Sequence, residues 1–235
     1  YEAVKPSRPA LVEPGSGAIE RLELRKDASF LHVDIILKHS LDLGKERLLL
    51  GIDTFARDKG ELLYDPAIPL EAPSGMEYLV VLDGTDTARL LAIPPADASQ
   101  YGFSTYETLI RSGNFQQMSK LINKARALED GTPIVAHFED ASKLRYGEQT
   151  GSTNHWIVDG KRVILRIPWA RINVSDPSSG TVLHDRGTYH TDPLRDVLET
   201  TESEGIALSA LLVQEKTNRV LGTFATAVDT QEPVV

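Results

Sequence analysis

Alternation with a period of two is the feature that most limits what this chain can become. Across residues 29–37 every second side chain, Leu31, Val33, Ile35 and Leu37, is aliphatic, with Phe30, His32, Asp34 and Ile36 between them. Side chains of an extended strand point alternately to its two faces, so one face of this segment is built for a core. Residues 19–24 alternate apolar and charged in the same way, and Lys26-Asp27 between the two segments predicts an antiparallel pair. Further β-rich runs follow at 47–52, 77–82, 87–93, 133–138, 161–167 and 206–213. Asp83-Gly84 and Asp159-Gly160 supply tight links, because both residues tolerate the positive φ angles that short hairpins require. Strands joined by hairpins, without helices between them, predict a mainly β fold, a two-sheet antiparallel β-sandwich and not a parallel α/β sheet.

One stretch breaks the pattern. Ser104-Thr105-Tyr106-Glu107 has capping-box spacing, and Gly113 then ends a short helix. Beyond it Phe115, Met118, Leu121, Ile122, Ala125 and Leu128 recur three and four residues apart, the spacing of one helical face. The expectation is a helical insertion near residues 103–128, packed on the sandwich. A second short helix is expected over 193–199, with Asp192 as N-cap and Pro193 at the first helical position.

The Pro- and Gly-rich opening reads as an extended linker over 1–17, followed by a single sandwich domain over 18–228 and a polar tail over 229–235. The chain begins at Tyr1, which suggests a piece of a longer protein whose other domains would be its neighbours.

Composition removes several functions. With 25 Lys+Arg against 34 Asp+Glu the formal charge is -9, which argues against nucleic acid as the main partner. The absence of cysteine excludes disulfides, thiolate metal sites and thiol nucleophiles. Apolar runs such as 207–213 fall far short of the roughly 20 residues of a transmembrane helix, so no transmembrane segment is expected.

The segment Arg162-Val163-Ile164-Leu165-Arg166-Ile167-Pro168-Trp169-Ala170-Arg171-Ile172 is a strand ending in Ile-Pro-Trp that turns into a short helix-like step. It resembles the late strand of the family 9 carbohydrate-binding modules and the wider DOMON-like group. Residues 30–37 and Leu50-Gly51-Ile52-Asp53 look like two further elements of that group. The resemblance covers about a quarter of the chain. It implies a two-sheet sandwich serving as an accessory module of extracellular glycan-processing proteins, with relatives that bind sugar or haem. An extracytoplasmic or secreted location follows from the same resemblance. The insertion near 103–128 departs from the family pattern.

Family 9 modules grip sugar between aromatic rings, and this chain has two tryptophans. If Asp159-Gly160 is the two-residue turn, Trp156 pairs with Val163 and shares an apolar face with Leu165 and Ile167, which favours core packing. Trp169 lies just past the strand end. The expected ligand surface is therefore the loop end holding Trp169, Asp176 and Tyr189, with Tyr101, Phe103 and Tyr106 as a second aromatic group. Asp53, Asp58 and Glu61, with Asp65, crowd one loop; hard carboxylate oxygens at that density suit calcium, and a solvated acidic loop is the plainer reading. His184, Asp185, His190 and Asp192 lack the spacing of a zinc motif and read as a polar loop. Arg162, Arg166 and Arg171 read as one strand face, able to pair with acidic surface or to meet an anionic sugar.

No Gly-x-Ser-x-Gly elbow, phosphate-binding loop or His-Glu-x-x-His motif is present. The expected function is a non-catalytic carbohydrate-binding or substrate-positioning domain. The alternatives are a structural or protein-interaction sandwich, which would present an apolar surface patch, and a glycoside hydrolase, which would need two carboxylates converging in a cleft.

Overall fold

A computed structural model describes residues 11–93, 109–150, 152–184 and 199–228. Among them the chain is mainly β and contains no α-helix; its one helical element is the 3-10 turn Trp169–Ile172, at the helix-like step expected after Ile-Pro-Trp.

Two antiparallel sheets form the sandwich. The first has five strands in the order Leu11–Pro14, Ile19–Lys26, Phe30–Leu37, Arg162–Pro168, Trp156–Asp159. The second runs Gln116–Gln117, Ala88–Ala92, Tyr78–Leu82, Glu46–Asp53, Ile206–Gln214, Val220–Val228, Ser16–Gly17, with Lys143–Leu144 also paired to Ala88–Ala92. Their facing sides share one core, in which Leu22, Leu24, Val33, Ile35, Leu165 and Ile167 meet Leu48, Leu50, Ile52, Val80, Leu208 and Leu212. The alternation in residues 30–37 thus does what its period requires, since Leu31, Val33, Ile35 and Leu37 are all buried.

The three central strands of the second sheet, Glu46–Asp53, Tyr78–Leu82 and Ile206–Gln214, are almost continuously apolar because both their faces are covered. On the far side Leu49, Leu79, Val81, Leu211 and Val213 pack under Tyr64, Ile68, Ala72 and Met76. That covering layer comes from the segment holding the antiparallel strands Gly60–Leu63 and Glu71–Met76, so the protein has three layers here. Tyr64 is sealed under it, and burial pushes its phenol up to about 12 although Ser209 is a hydrogen-bond partner.

Several expectations need correction. Residues 114–128 are not a helix: Gln116–Gln117, Ser119–Asn123 and Arg126–Ala127 are strands. The helical stripe has no apolar surface to lie on, and the backbone pairs across strands instead, so Leu121 and Ile122 of that stripe stay exposed. Residues 103–108 and most of 193–199 lie outside the described residues, although Glu199–Glu202 is a strand. Residues 11–17, expected as linker, are drawn into both sheets through Leu11–Pro14 and Ser16–Gly17. The hairpin at Asp159 also turns one residue later than expected. Asp159 pairs with Arg162 and Trp156 with Leu165, so Gly160-Lys161 is the two-residue turn, with Gly160 at φ 60° in its first position.

Candidate functional site

The expected ligand residues do not assemble into an aromatic platform among the described residues. Trp169 is 5% exposed; its ring packs in the sandwich core and its Nε1–H donates to the Asp27 carbonyl at 2.7 Å. A shallow depression borders it, lined by Thr54, Val174, Pro177, Val182, Ser203 and Ile206, with room for about one water molecule. Asp176 is exposed and turned onto its own loop, accepting from the Ser178 hydroxyl at 2.6 Å and the Ser178 N–H at 2.8 Å, which hold its carboxyl at about 2. Tyr101, Phe103, Tyr106 and Tyr189 lie outside the described residues, as do Asp185, His190 and Asp192.

The three carboxylates expected to hold calcium are also apart in role. Glu61 is buried and spends its oxygens on the backbone, accepting from the N–H of Leu63 and from both the N–H and hydroxyl of Ser112. Asp58 is exposed, and Asp53 is buried with Arg57 Nη1 2.9 Å from its Oδ2. No group of three or more His, Cys, Asp or Glu among the described residues could hold a metal ion.

Sequence spacing missed the partner that Asp53 does have. Glu77 is 1% exposed and lies beside it; one oxygen accepts from the Thr54 N–H at 2.6 Å and the Thr54 hydroxyl at 3.3 Å. The other oxygen has no hydrogen-bond partner among the described residues. Burial, reinforced by the Asp53 charge, holds the Glu77 carboxyl well above the usual range, and burial raises Asp53 as well against the pull of Arg57. A catalytic acid–base pair needs one carboxyl group with raised proton affinity beside one that stays ionised, whereas here both are raised and both sit in the interior. Their role is structural: the Glu77 carboxyl ties Thr54 to the end of the neighbouring strand.

Glu77→Gln tests that assignment. A carboxyl whose folded affinity for protons is raised costs stability only once the unfolded chain ionises. The cost is therefore absent below the usual glutamate value of 4.5 and grows as pH rises toward Glu77's own elevated value. Glu77→Gln, which cannot ionise, should match wild type near pH 4 and exceed it at about pH 8 in urea denaturation. A difference independent of pH would show that Glu77 is charged in the fold.

The most exposed apolar feature is an arm. Gln116–Gln117 pairs with Ala92 and Leu91, and Lys143–Leu144 pairs with Arg89 and Ala88, so the two pieces form one interrupted edge strand. Residues 118–142 leave the sheet between them, opposite Leu90. The root is pinned by Leu90 N–H to the Ser142 carbonyl at 2.8 Å, Ala141 N–H to the Met118 carbonyl at 2.8 Å, and Met118 N–H to the Ser142 hydroxyl at 2.6 Å. Outward, Ser119–Asn123 pairs with His137–Asp140 and Arg126–Ala127 with Pro133–Ile134, each as an isolated two-stranded ladder. The tip turns at Asp130-Gly131, where Asp130 accepts the Thr132 N–H at 2.9 Å. With about 12 residues in each leg, at about 3.3 Å per residue, the arm reaches at most about 40 Å.

No residue from 119 to 140 is buried. Leu121 and its cross-strand partner Phe138 share one face at 40% and 58% exposure, with Ile122, Leu128 and Val135 also open. Charge is divided between the two legs. Lys120, Lys124 and Arg126 lie on the outgoing leg, Glu139 and Asp140 on the returning one, with Glu129 and Asp130 near the tip.

Fold and arm together define a mainly β, sandwich-like protein with a projecting hairpin. Comparison with models of known protein families, with curated proteins and with solved structures gave no match. No helix among the described residues is long and apolar enough to cross a membrane.

Proposed function

We propose that this protein is a non-catalytic interaction domain that assembles with further copies of itself through the arm at residues 118–142. The observation that carries the reading is the unsupported hairpin. Among the described residues this two-stranded ladder has no third strand and no covering element, an arrangement that is marginal in water, and it also leaves five large apolar side chains open. Among the described residues each leg has one unpaired edge, which can accept a strand from a neighbour. A second copy fits that edge because the legs carry opposite charge: a cationic outgoing leg of one copy lies well beside the anionic returning leg of the next. Such a contact is heterologous, so it builds rings or filaments and not a closed dimer.

Carbohydrate positioning, the other expectation, rests on Tyr101, Tyr106 and Tyr189. Of its described residues Trp169 serves the core.

The test is sedimentation over a concentration series, at low and high salt, for wild type and for the triple variant Leu121→Ser, Val135→Ser, Phe138→Ser. Wild type should form species larger than a dimer that weaken with salt. The variant should weaken association at least about tenfold while its stability stays within about 0.5 kcal/mol, since exposed positions contribute little to folding. A wild type that stays monomeric at high concentration, or a variant that associates equally well, sinks the proposal.

A further inference from the structure

Behind the arm's root the chain of net charge -9 carries a local excess of positive charge. Arg166, on the outer face of the first sheet, donates its backbone N–H to the His155 carbonyl at 2.7 Å. Arg145, just past Lys143–Leu144, meets the same histidine: its N–H donates to His155 Nδ1 at 3.0 Å, and its carbonyl accepts the His155 N–H at 2.7 Å. Arg171, from the 3-10 turn, completes the group; its guanidinium donates to the carbonyls of Lys143 at 3.0 Å and Ala141 at 2.6 Å.

None of the three arginines forms an ion pair with a carboxylate among the described residues. Arg145 donates to the Thr153 hydroxyl at 2.6 Å, and Arg166 to the carbonyls of Asn154 and Ser152 while stacking over the Phe30 ring. Asp27 and Asp140 act on Arg166 and Arg171 only from a distance. By contrast Arg25 and Arg162, on the first sheet, share the buried Asp34 as a common counter-ion. Among the described residues a buried counter-ion serves that pair and none serves the adjacent trio, whose charge is left to be matched.

We propose that Arg145, Arg166 and Arg171 form a binding site for a tetrahedral dianionic oxyanion, a phosphate or sulfate group, free or carried on a larger molecule. A guanidinium has five N–H donors, and the hydrogen bonds above occupy one of them on Arg145 and two each on Arg166 and Arg171. Because Nδ1 of His155 accepts a backbone N–H, its proton sits on Nε2 and adds a neutral donor to the group. Three cations suit a dianion with three or four acceptor oxygens better than a carboxylate, which one guanidinium can satisfy alone. The electrostatics agree: burial and then the charges of Arg171, Arg145 and Arg166 pull the His155 imidazole down to about 4. The inference is independent of the arm's role in assembly.

Calorimetric titration with inorganic phosphate and inorganic sulfate, against acetate and chloride at matched ionic strength, is the experiment. Saturable binding of at least one dianion is expected, at least about tenfold tighter than acetate. Arg145→Gln, at an exposed position, should keep the fold by circular dichroism and lose about tenfold or more in affinity, as removal of a charged hydrogen-bond donor does. A proton-resonance titration of His155 should move upward from about 4 when the dianion is bound, because the neighbouring charge is compensated. Absence of saturable dianion binding, acetate binding equally well, or an Arg145→Gln protein indistinguishable from wild type would overturn the assignment. Whichever of phosphate and sulfate binds more tightly names the group the site prefers.

Discussion

Trp156→Ala is expected to cost about 3–5 kcal/mol of stability, among the largest losses a single substitution can cause here. The indole is fully buried among residues of both sheets, so its removal loses transfer energy and leaves a cavity that the surrounding strands cannot fill. Its Nε1–H also donates to the Leu144 carbonyl at 3.2 Å, and Tyr146 packs edge-on against it with 4.8 Å between ring centres. Those two contacts reach the chain returning from the arm, so the variant should loosen the arm's root as well as the core. Urea denaturation followed by the fluorescence of the remaining Trp169 measures the loss. A value under about 1 kcal/mol would remove Trp156 from the core. Trp169→Ala should behave in kind, being 5% exposed and hydrogen-bonded to Asp27. A loss of glycan binding in that variant would therefore report a damaged fold and could not by itself locate a ligand.

The strands were legible because their signal is local. Residues 30–37 alternate, and their inward set is buried; on the other face Asp34 is buried as well, beside Arg25 and Arg162. Even the hairpin at Asp159 kept its faces although its turn moved by one residue: the pairing shifted by two in total, and a two-residue shift preserves which side each residue faces. Trp156 therefore shares its buried face with Val163, Leu165 and Ile167, as the alternation requires.

The arm was illegible for an opposite reason. Phe115, Met118, Leu121, Ile122, Ala125 and Leu128 have helical spacing, but that spacing stabilises a helix only where a surface receives it. Here Phe115 and Met118 alone rest against the body, and the chain then leaves it. One signal was available. Asp130-Gly131 is a third Asp-Gly pair, like the two read as turns, and Gly131 takes φ 85° at the arm's tip. The Asp53–Glu77 pair and the Arg145, Arg166, Arg171 group were out of reach for sequence, because each is assembled from elements far apart along the chain.

Gly75→Ala should be the second severe substitution, with a cost of at least about 4 kcal/mol, and it separates the covering layer from the sandwich beneath it. A methyl group on Gly75 would lie 1.6 Å from the Lys59 carbonyl oxygen and 2.3 Å from its carbon. Both are backbone atoms, and the Gly75 N–H donates to the Arg57 carbonyl at 3.1 Å in the same place, so neither strand can move aside without losing the pairing. Gly51, in the strand below, is the control. A methyl there would meet Met76 Sδ at 2.0 Å, the flexible end of a side chain that can swing away, so Gly51→Ala should cost only about 1–3 kcal/mol. If the layer lifts, Leu49, Val81 and Leu211 lose their cover while the core between the sheets keeps its own contacts. Gly75→Ala should then bind an apolar dye and lose amide protection first in Gly60–Leu63 and Glu71–Met76, with Phe30–Leu37 and Arg162–Pro168 protected longer. Equal costs for the two glycine substitutions, or simultaneous loss of protection in both sheets, would mean that the three layers unfold as one unit and that the covering segment has no separate opening.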